Sequence, residues 1–308
     1  MSLSGDSASL AGFIDLHSHT NESDGTLTPC ELISLAKRVG LSAIAITDHD
    51  TFAGYEKAES LAAQAGLDLL CGIELNSRLS PEMDRDQRHV HVLAYFTSGV
   101  RLPKFSAWLA EEQEDRRTRN RRLIEALQKR GVDITLQEVE ARGRSMAGRP
   151  HFARILVEKG YAADSDDAFE RYIGETAPSY IERQSQTTEE AIQIIRAGGG
   201  IPVVAHPVRL ALPPDVERQV LHQLKDAGLL GLEVYHSEHP PELQAYYLGV
   251  ADELQLLPTG GSDFHGAAKP DVKLGTGLKD NVRVPREFLD RMRAECSNHT
   301  QHLCPPVA

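Results

Sequence analysis

Cysteine is scarce in this 308-residue chain, and the four present (Cys30, Cys71, Cys296 and Cys304) form no C-x-x-C pair. That excludes a disulfide-built scaffold and the closed zinc sites made from paired cysteines. Cys30 and Cys71 fall in apolar patterns and read as buried thiols in a reducing cytosol. No apolar run is long enough to span a bilayer and there is no secretory h-region, so the expectation is a cytoplasmic protein without a membrane partner. Positive charge is also short, with 33 Lys and Arg against 45 Asp and Glu and a net charge of −12. Stable duplex DNA binding relies on many cations facing phosphates and is not expected. A small anionic substrate held by a few local cations remains open.

What the chain does have is histidine in repeated positions. Asp15-Leu16-His17-Ser18-His19-Thr20 follows a short apolar run, and Asp24 comes soon after. Alternate strand residues share a face, so both imidazoles can reach one metal ion. Thr47-Asp48-His49-Asp50, Ala205-His206-Pro207 and Ser262-Asp263-Phe264-His265 close further apolar runs.

Seven short β-like runs cover 13–17, 42–47, 68–74, 90–96, 201–206, 231–236 and 256–263. Most are rich in Ile, Val and Leu with little alternation, as for strands buried on both faces of a parallel sheet. Helical patterns lie between several of them. Thr28-Pro29-Cys30-Glu31 reads as a capping box closed by Gly40, and Thr187-Thr188-Glu189-Glu190 starts another helix. The expectation is an α/β fold, a barrel or doubly wound sheet, whose strands occupy 12–98 and 187–290. Between them, 99–186 reads as an all-helical insertion with helices over 104–130, 136–142, 150–159 and 166–172. The polar end, 297–308, reads as a loose tail, in which Cys296, His299, His302 and Cys304 are too irregularly spaced for a zinc site.

In a parallel barrel all strand C-termini face one mouth, where such folds place chemistry. His17, His19, Asp24, His49, Glu74, His91, His206, Asp263 and His265 would then converge. Nine N and O ligands exceed one ion and suit two or three of Mn²⁺, Zn²⁺ or Fe²⁺. Clustered ions fit phosphoryl chemistry, in which a hydroxide held between metals attacks phosphorus. Glu74 is the natural bridge. Glu74, Asp48 and His236 are the catalytic candidates, His236 as general acid or phosphate ligand.

These motifs resemble the polymerase and histidinol phosphatase (PHP) superfamily over roughly residues 12 to 285. The matching elements are Asp-Leu-His-Ser-His-Thr (15–20) with Asp24, Thr-Asp-His-Asp (47–50), Gly-Ile-Glu (72–74), His-Val-Leu-Ala-Tyr (91–95), Ala-His-Pro (205–207) and Ser-Asp-Phe-His (262–265). The resemblance implies a distorted seven-stranded β/α barrel holding two or three metals. It places His17, His19, Glu74 and Asp263 on one ion, Glu74, His91 and His206 on a second, and Asp24, His49 and His265 on a third. Some relatives carry His at the Asp24 position. Gly148-Arg149-Pro150-His151 and Ala153-Arg154-Ile155-Leu156 are similar to stand-alone bacterial phosphoesterases of this superfamily. Those remove the 3′-phosphate from nucleoside 3′,5′-bisphosphates or trim short RNA from its 5′ end.

Arg149 and His151, beside a Pro that can open a helix, are candidate phosphate contacts, with Arg144 and Ser145 on the preceding loop. The insertion would roof the mouth and read a second phosphate. The run Arg116-Arg117-Thr118-Arg119-Asn120-Arg121-Arg122 reads as a solvated helix face paired with Glu111, Glu112, Glu114 and Asp115. The expected activity is metal-dependent phosphoester hydrolysis of a small nucleotide or short 5′-phosphorylated oligonucleotide. The alternatives are a histidinol-phosphatase-like monoesterase, a C–N hydrolase (which often adds a strand-end Lys that this chain lacks) and a nucleotide-sensing module.

Overall fold

The computed structural model describes residues 12–84, 88–99, 101–144, 146–183 and 186–303, with side chains through 295. The seven apolar runs form β1 (Phe13–Asp15), β2 (Ala43–Ile46), β3 (Asp68–Arg78), β4 (His89–Phe96), β5 (Ile201–Val204), β6 (Gly231–Tyr235) and β7 (Leu257–Gly260). Two two-residue strands, β8 (Val272–Lys273) and β9 (Gly277–Leu278), pair only with each other. A further one, β10 (Val284–Pro285), adds to β1, so the main sheet has eight strands in the order β10-β1-β2-β3-β4-β5-β6-β7. Two residues are too few to carry a hydrophobic pattern, so the eighth strand is not legible in the sequence. The sheet curls into a nearly closed barrel. Leu16 N–H donates to Gly260 O at 3.1 Å and Asp263 N–H to His17 O at 2.9 Å.

The all-parallel barrel requires correction at β4, which runs antiparallel to both β3 and β5. The other crossovers carry helices: α1 (Pro29–Val39), α2 (Ala53–Ala65), α8 (Pro214–Asp226) and α9 (Pro241–Glu253). Residues 79–88 hold no helix among the described residues, and Leu79 N–H donates to Arg88 O at 2.9 Å. A connection that short can only return the chain as a hairpin. The reversal brings the beginning of β4, with His91, to the mouth where β3 ends; Asn76 pairs with His91.

Helix α1 starts on the expected capping box, with Thr28 N–H donating to Glu31 Oε2 at 2.8 Å, and ends at Gly40 with φ +86°. It buries Leu32, Ile33 and Ala36 in the core, with Leu32 and Ile33 contributing about 1.5–3 kcal/mol each. Cys30 is exposed, contrary to expectation, because it falls off that stripe; Cys71 is buried. Strand alternation divides the core. Ile44, Ile46 and Ile73 face the helices, whereas Ala43, Ala45, Leu93, Tyr95 and Val203 join Phe288, Leu289 and Met292 of α10 (Arg286–Leu303). The expected loose tail is corrected as far as Leu303, since α10 runs through it; anchored by those side chains, it meets no helix breaker before Pro305.

After β4 the chain forms α3 (Pro103–Lys129), α4 (Leu136–Gly143), α5 (Arg149–Glu158) and α6 (Ser165–Ala168). Helix α6 passes directly into a π-helical turn, Phe169–Ile173. These elements have an apolar cluster of their own, including Leu123, Leu127, Phe152, Leu156 and Ile173. The chain re-enters the barrel through α7 (Thr188–Ala197), capped as expected by Thr187. Among the described residues no helix is long and apolar enough to cross a membrane.

Candidate metal centre

Glu74, on β3, is buried at the centre of the mouth. Its Oε1 lies 2.7 Å from His91 Nδ1 and 3.0 Å from His206 Nε2. Its Oε2 lies 3.4 Å from His17 Nε2, 3.1 Å from His19 Nε2 and 3.3 Å from His49 Nδ1. Asp263 Oδ1 approaches His17 and His19 at 3.5 and 3.4 Å. Asp24 reaches His265 Nε2 at 3.4 Å and His49 Nε2 at 3.7 Å. All nine expected ligands therefore converge. They fall into sets whose donor atoms lie within 4.8 Å of one another: His19/Asp24/His49/His265, His17/His19/Asp263, His17/Glu74/His206 and His49/Glu74/His91.

This donor set fits divalent ions. His17 Nε2, both ring nitrogens of His19 and His49 Nδ1 are buried without a hydrogen-bond partner. Buried polar atoms normally find partners, and four orphans aimed into one cluster mark a place for cations. The backbone is also constrained: His206 and Asp263 hold φ of +28° and +56°. Such conformations cost about 1–3 kcal/mol and persist where surrounding structure fixes them.

Electrostatics follow the crowding. Burial raises the pKa of Glu74, but the facing imidazoles of His49, His91 and His17 outweigh it and hold the carboxyl well below its usual range. Asp24 and Asp263 are likewise lowered despite burial, by His265 and His49 and by Lys269 and His265 respectively. Burial disfavours the His19 cation, yet Asp263, Glu74 and Asp24 raise its pKa to about 9. His49, where burial dominates, falls to about 4.

A cavity of 340 Å³ opens above the cluster, and Asp24, His49, Glu74, His91, Asp263 and His265 form part of its wall. Arg209 Nη2 and Lys269 Nζ stand on the same wall and donate to Asp263 Oδ2 at 3.2 and 2.6 Å. The lining also includes Arg116, Arg119, Gly148, Arg149, His151, Phe169, Tyr180 and Arg183.

The sequence profile of the PHP domain matches residues 15–186. The chain belongs to the PHP family. It is 32% identical to the 5′-3′ exoribonuclease Rnm of Escherichia coli over 86% of this chain and 88% of that protein. It is 30% identical to a 3′,5′-nucleoside bisphosphate phosphatase of Chromobacterium violaceum over 85% of this chain and 90% of that one. A crystal structure from Bifidobacterium adolescentis, described as a candidate metal-dependent phosphoesterase, superposes with a TM-score of 0.75 at 33% identity. It covers 91% of this chain and 95% of the other. The chain is a metal-dependent phosphoesterase.

Further residues support the PHP site, of which Glu233 lies outside every motif. Glu233, on β6, accepts from the His206 N–H at 2.6 Å and lies 2.9 Å from His17 Nδ1. Asp15 takes the N–H groups of Ser262 and Gly275 at 2.9 and 2.7 Å, tying β1 to the segment after β7. Arg154, on α5, donates to Asp24 O at 3.0 Å. A lone acid inside an apolar strand gave the only signal for Glu233.

Other expectations are corrected. Asp48 is not catalytic by placement: Thr20 N–H and Ser23 Oγ occupy its Oδ1 at 2.7 and 2.6 Å, and Thr20 Oγ1 its Oδ2 at 2.6 Å. It locks the His19–Asp24 loop. His236 is fully buried, 3.3 Å from Asp263 Oδ2, and does not line the cavity, so it positions Asp263. Arg149 and His151 line the cavity, His151 with Nδ1 accepting from Gly148 N–H at 3.0 Å. Arg144 is exposed and borders a separate surface pocket with Arg117, because the φ of +42° at the α4 end turns the chain there. Ser145 lies outside the described residues. The arginine run divides. Arg117 and Arg121 pair with Glu114 at the surface, whereas Arg116 and Arg119 are buried in the cavity wall.

Proposed function

We propose that this enzyme removes the 3′-phosphate of nucleoside 3′,5′-bisphosphates, trims short 5′-phosphorylated oligoribonucleotides, or does both. Two or three divalent ions, Mn²⁺ foremost, are the resident metals in this reading. The carrying observation is the Glu74 carboxylate among five imidazoles, beneath a cavity whose lining is rich in arginine. His17, His19, Glu74 and Asp263 would hold one ion, Glu74, His91 and His206 a second, and Asp24, His49 and His265 a third. When bound, the ions supply Lewis-acid charge to phosphoryl oxygens and make water nucleophilic near neutral pH.

The chain's own groups do the rest. Glu233 keeps the His17 proton on Nδ1 and leaves Nε2 free to ligate. Arg209 and Lys269, held at Asp263, place two positive charges beside the reacting phosphate. Arg149 and His151, at the start of α5, meet the remainder of the substrate, and residues 99–186 act as an insertion domain that roofs the mouth. The free thiols of Cys30 and Cys71 suit action in the cytoplasm.

The test is phosphate release by the Mn²⁺-loaded protein from adenosine 3′,5′-bisphosphate, with AMP and histidinol phosphate in parallel and His17→Ala as control. Release from the bisphosphate, absent in the variant, is the expected result. Equal or faster release from histidinol phosphate would replace this reading with the small-metabolite monoesterase.

A further inference from the structure

The turn that carries Asp24 is gripped from two sides. On the barrel side, Asp48 accepts from Thr20 N–H and Ser23 Oγ at 2.7 and 2.6 Å, and Gly25 N–H donates to Thr20 O at 2.9 Å. On the other side, the insertion holds three successive backbones. Met146 N–H donates to Glu22 O at 3.1 Å, the His151 ring hydrogen-bonds the Ser23 backbone, and Arg154 Nη2 donates to Asp24 O at 3.0 Å. Glu22 and Ser23 are buried beneath these contacts. The turn has no slack, since a methyl group on Gly25 would lie 2.5 Å from His19 O.

His49 is held from the same direction. The residue after it, Asp50, pairs with Arg116 and Arg183, and its O accepts from Gln113 Nε2 at 2.8 Å. Two of the four members of the His19/Asp24/His49/His265 set are therefore anchored to the insertion. The partners of His17, His206 and Asp263 come from the barrel instead. Glu233 meets His17 and His206, and Arg209, His236 and Lys269 meet Asp263. Contacts outside the ligand shell fix where a ligand stands and so tune its metal affinity. Such coupling is reciprocal: whatever the docked insertion adds to metal binding, the ion returns to docking.

We propose that Arg154 is a positioning residue for the ion taken by Asp24, His49 and His265, and that filling this position locks α5 of the insertion onto the barrel. The inference rests on the assignment of those three ligands to one ion and deepens it. The insertion is then part of the metal site as well as its roof. Ions on His17, His206 and Asp263 bind without help from Arg154.

Mn²⁺ binding to the metal-free full chain, without substrate, tests this, with the electron paramagnetic resonance signal of free Mn²⁺ counting the unbound ions. Arg154→Met should weaken one bound ion about 10-fold and leave the others as in the parent. Arg154→Lys, which keeps a donor, should recover part of that affinity. Asp24→Ala should lose the same ion, and adding Arg154→Met to it should change nothing further. A merely structural arginine would lower the melting temperature and leave the binding isotherm alone. Mn²⁺ should also slow amide hydrogen exchange across α5 in the parent but not in Asp24→Ala, which decides the coupling if Arg154→Met does not fold. A parent-like isotherm in Arg154→Met, equal weakening of every ion, or α5 exchange indifferent to Mn²⁺ overturns the proposal while the ligand assignment stands. If Asp24→Ala itself binds Mn²⁺ like the parent, the ligand assignment fails and the coupling falls with it.

Discussion

His17 and Glu233 form a fully buried pair, with Nδ1 2.9 Å from Oε1. The carboxylate fixes which nitrogen carries the proton and so which one faces the other ligands. Outer partners of this kind typically tune metal affinity by 10- to 100-fold. Glu233→Gln should weaken Mn²⁺ binding by about that factor while leaving the far-UV CD spectrum intact. Calorimetric titration checks it; an unchanged affinity would remove Glu233 from the account.

Protons and metal ions compete for the same nitrogens. His19 has a pKa of about 9 in the metal-free protein, above its ordinary 6.5. Its contribution to metal-free stability is therefore complete below pH 6.5 and is lost as the pH rises through 9. Mn²⁺ affinity should rise over the same window, and binding at neutral pH should release protons. Titrations in two buffers of different ionisation heat measure that release, and its absence would contradict the charge state derived for His19.

Asp48 organises the ligand loop by accepting three hydrogen bonds from Thr20 and Ser23. Asp48→Ala should cost about 1–3 kcal/mol, since buried donors lose their acceptor. Gly54→Ala should do similar harm, because a methyl group there collides with the Asp48 carboxylate. Denaturant melts read both effects. A stable Asp48→Ala protein devoid of activity would restore Asp48 as a catalytic group.

Asp50 joins the barrel to the helices above it by pairing with Arg116 and Arg183, at a φ of +52°. Removing the carboxylate charge leaves buried Arg116 without a counter-charge beside Arg183, which keeps Glu112. Asp50→Asn should destabilise the protein by about 3–5 kcal/mol. A loss well under 1 kcal/mol in chemical denaturation would show that the cations are neutralised otherwise.

Most of the ligand set was legible because its members sit at or just after the ends of apolar runs, and those ends gather at one mouth; His91, near the beginning of β4, reaches it because that strand is reversed. Strand direction was not, because Ile, Val and Leu patterns are the same whichever way a buried strand runs; only the short 79–88 connection held that information. Arg119 was hidden by composition. Among charged neighbours it resembles a solvated face, yet Arg116, Arg119, Asn120, Leu123 and Leu127 recur at helical spacing and continue the buried stripe of α3. Glu233 carries no motif, and Asp15 opens the 15–20 motif without disclosing its role, because the partners of both lie far away in sequence.

Glu74 would hold two of the proposed ions, because imidazoles face both of its carboxylate oxygens. Anomalous diffraction from Mn²⁺-loaded crystals of the parent and of Glu74→Gln measures this directly. The account predicts two or three peaks beside Glu74 in the parent and the loss of at least one in the variant. A single peak away from Glu74, or peaks unchanged by the substitution, would contradict it.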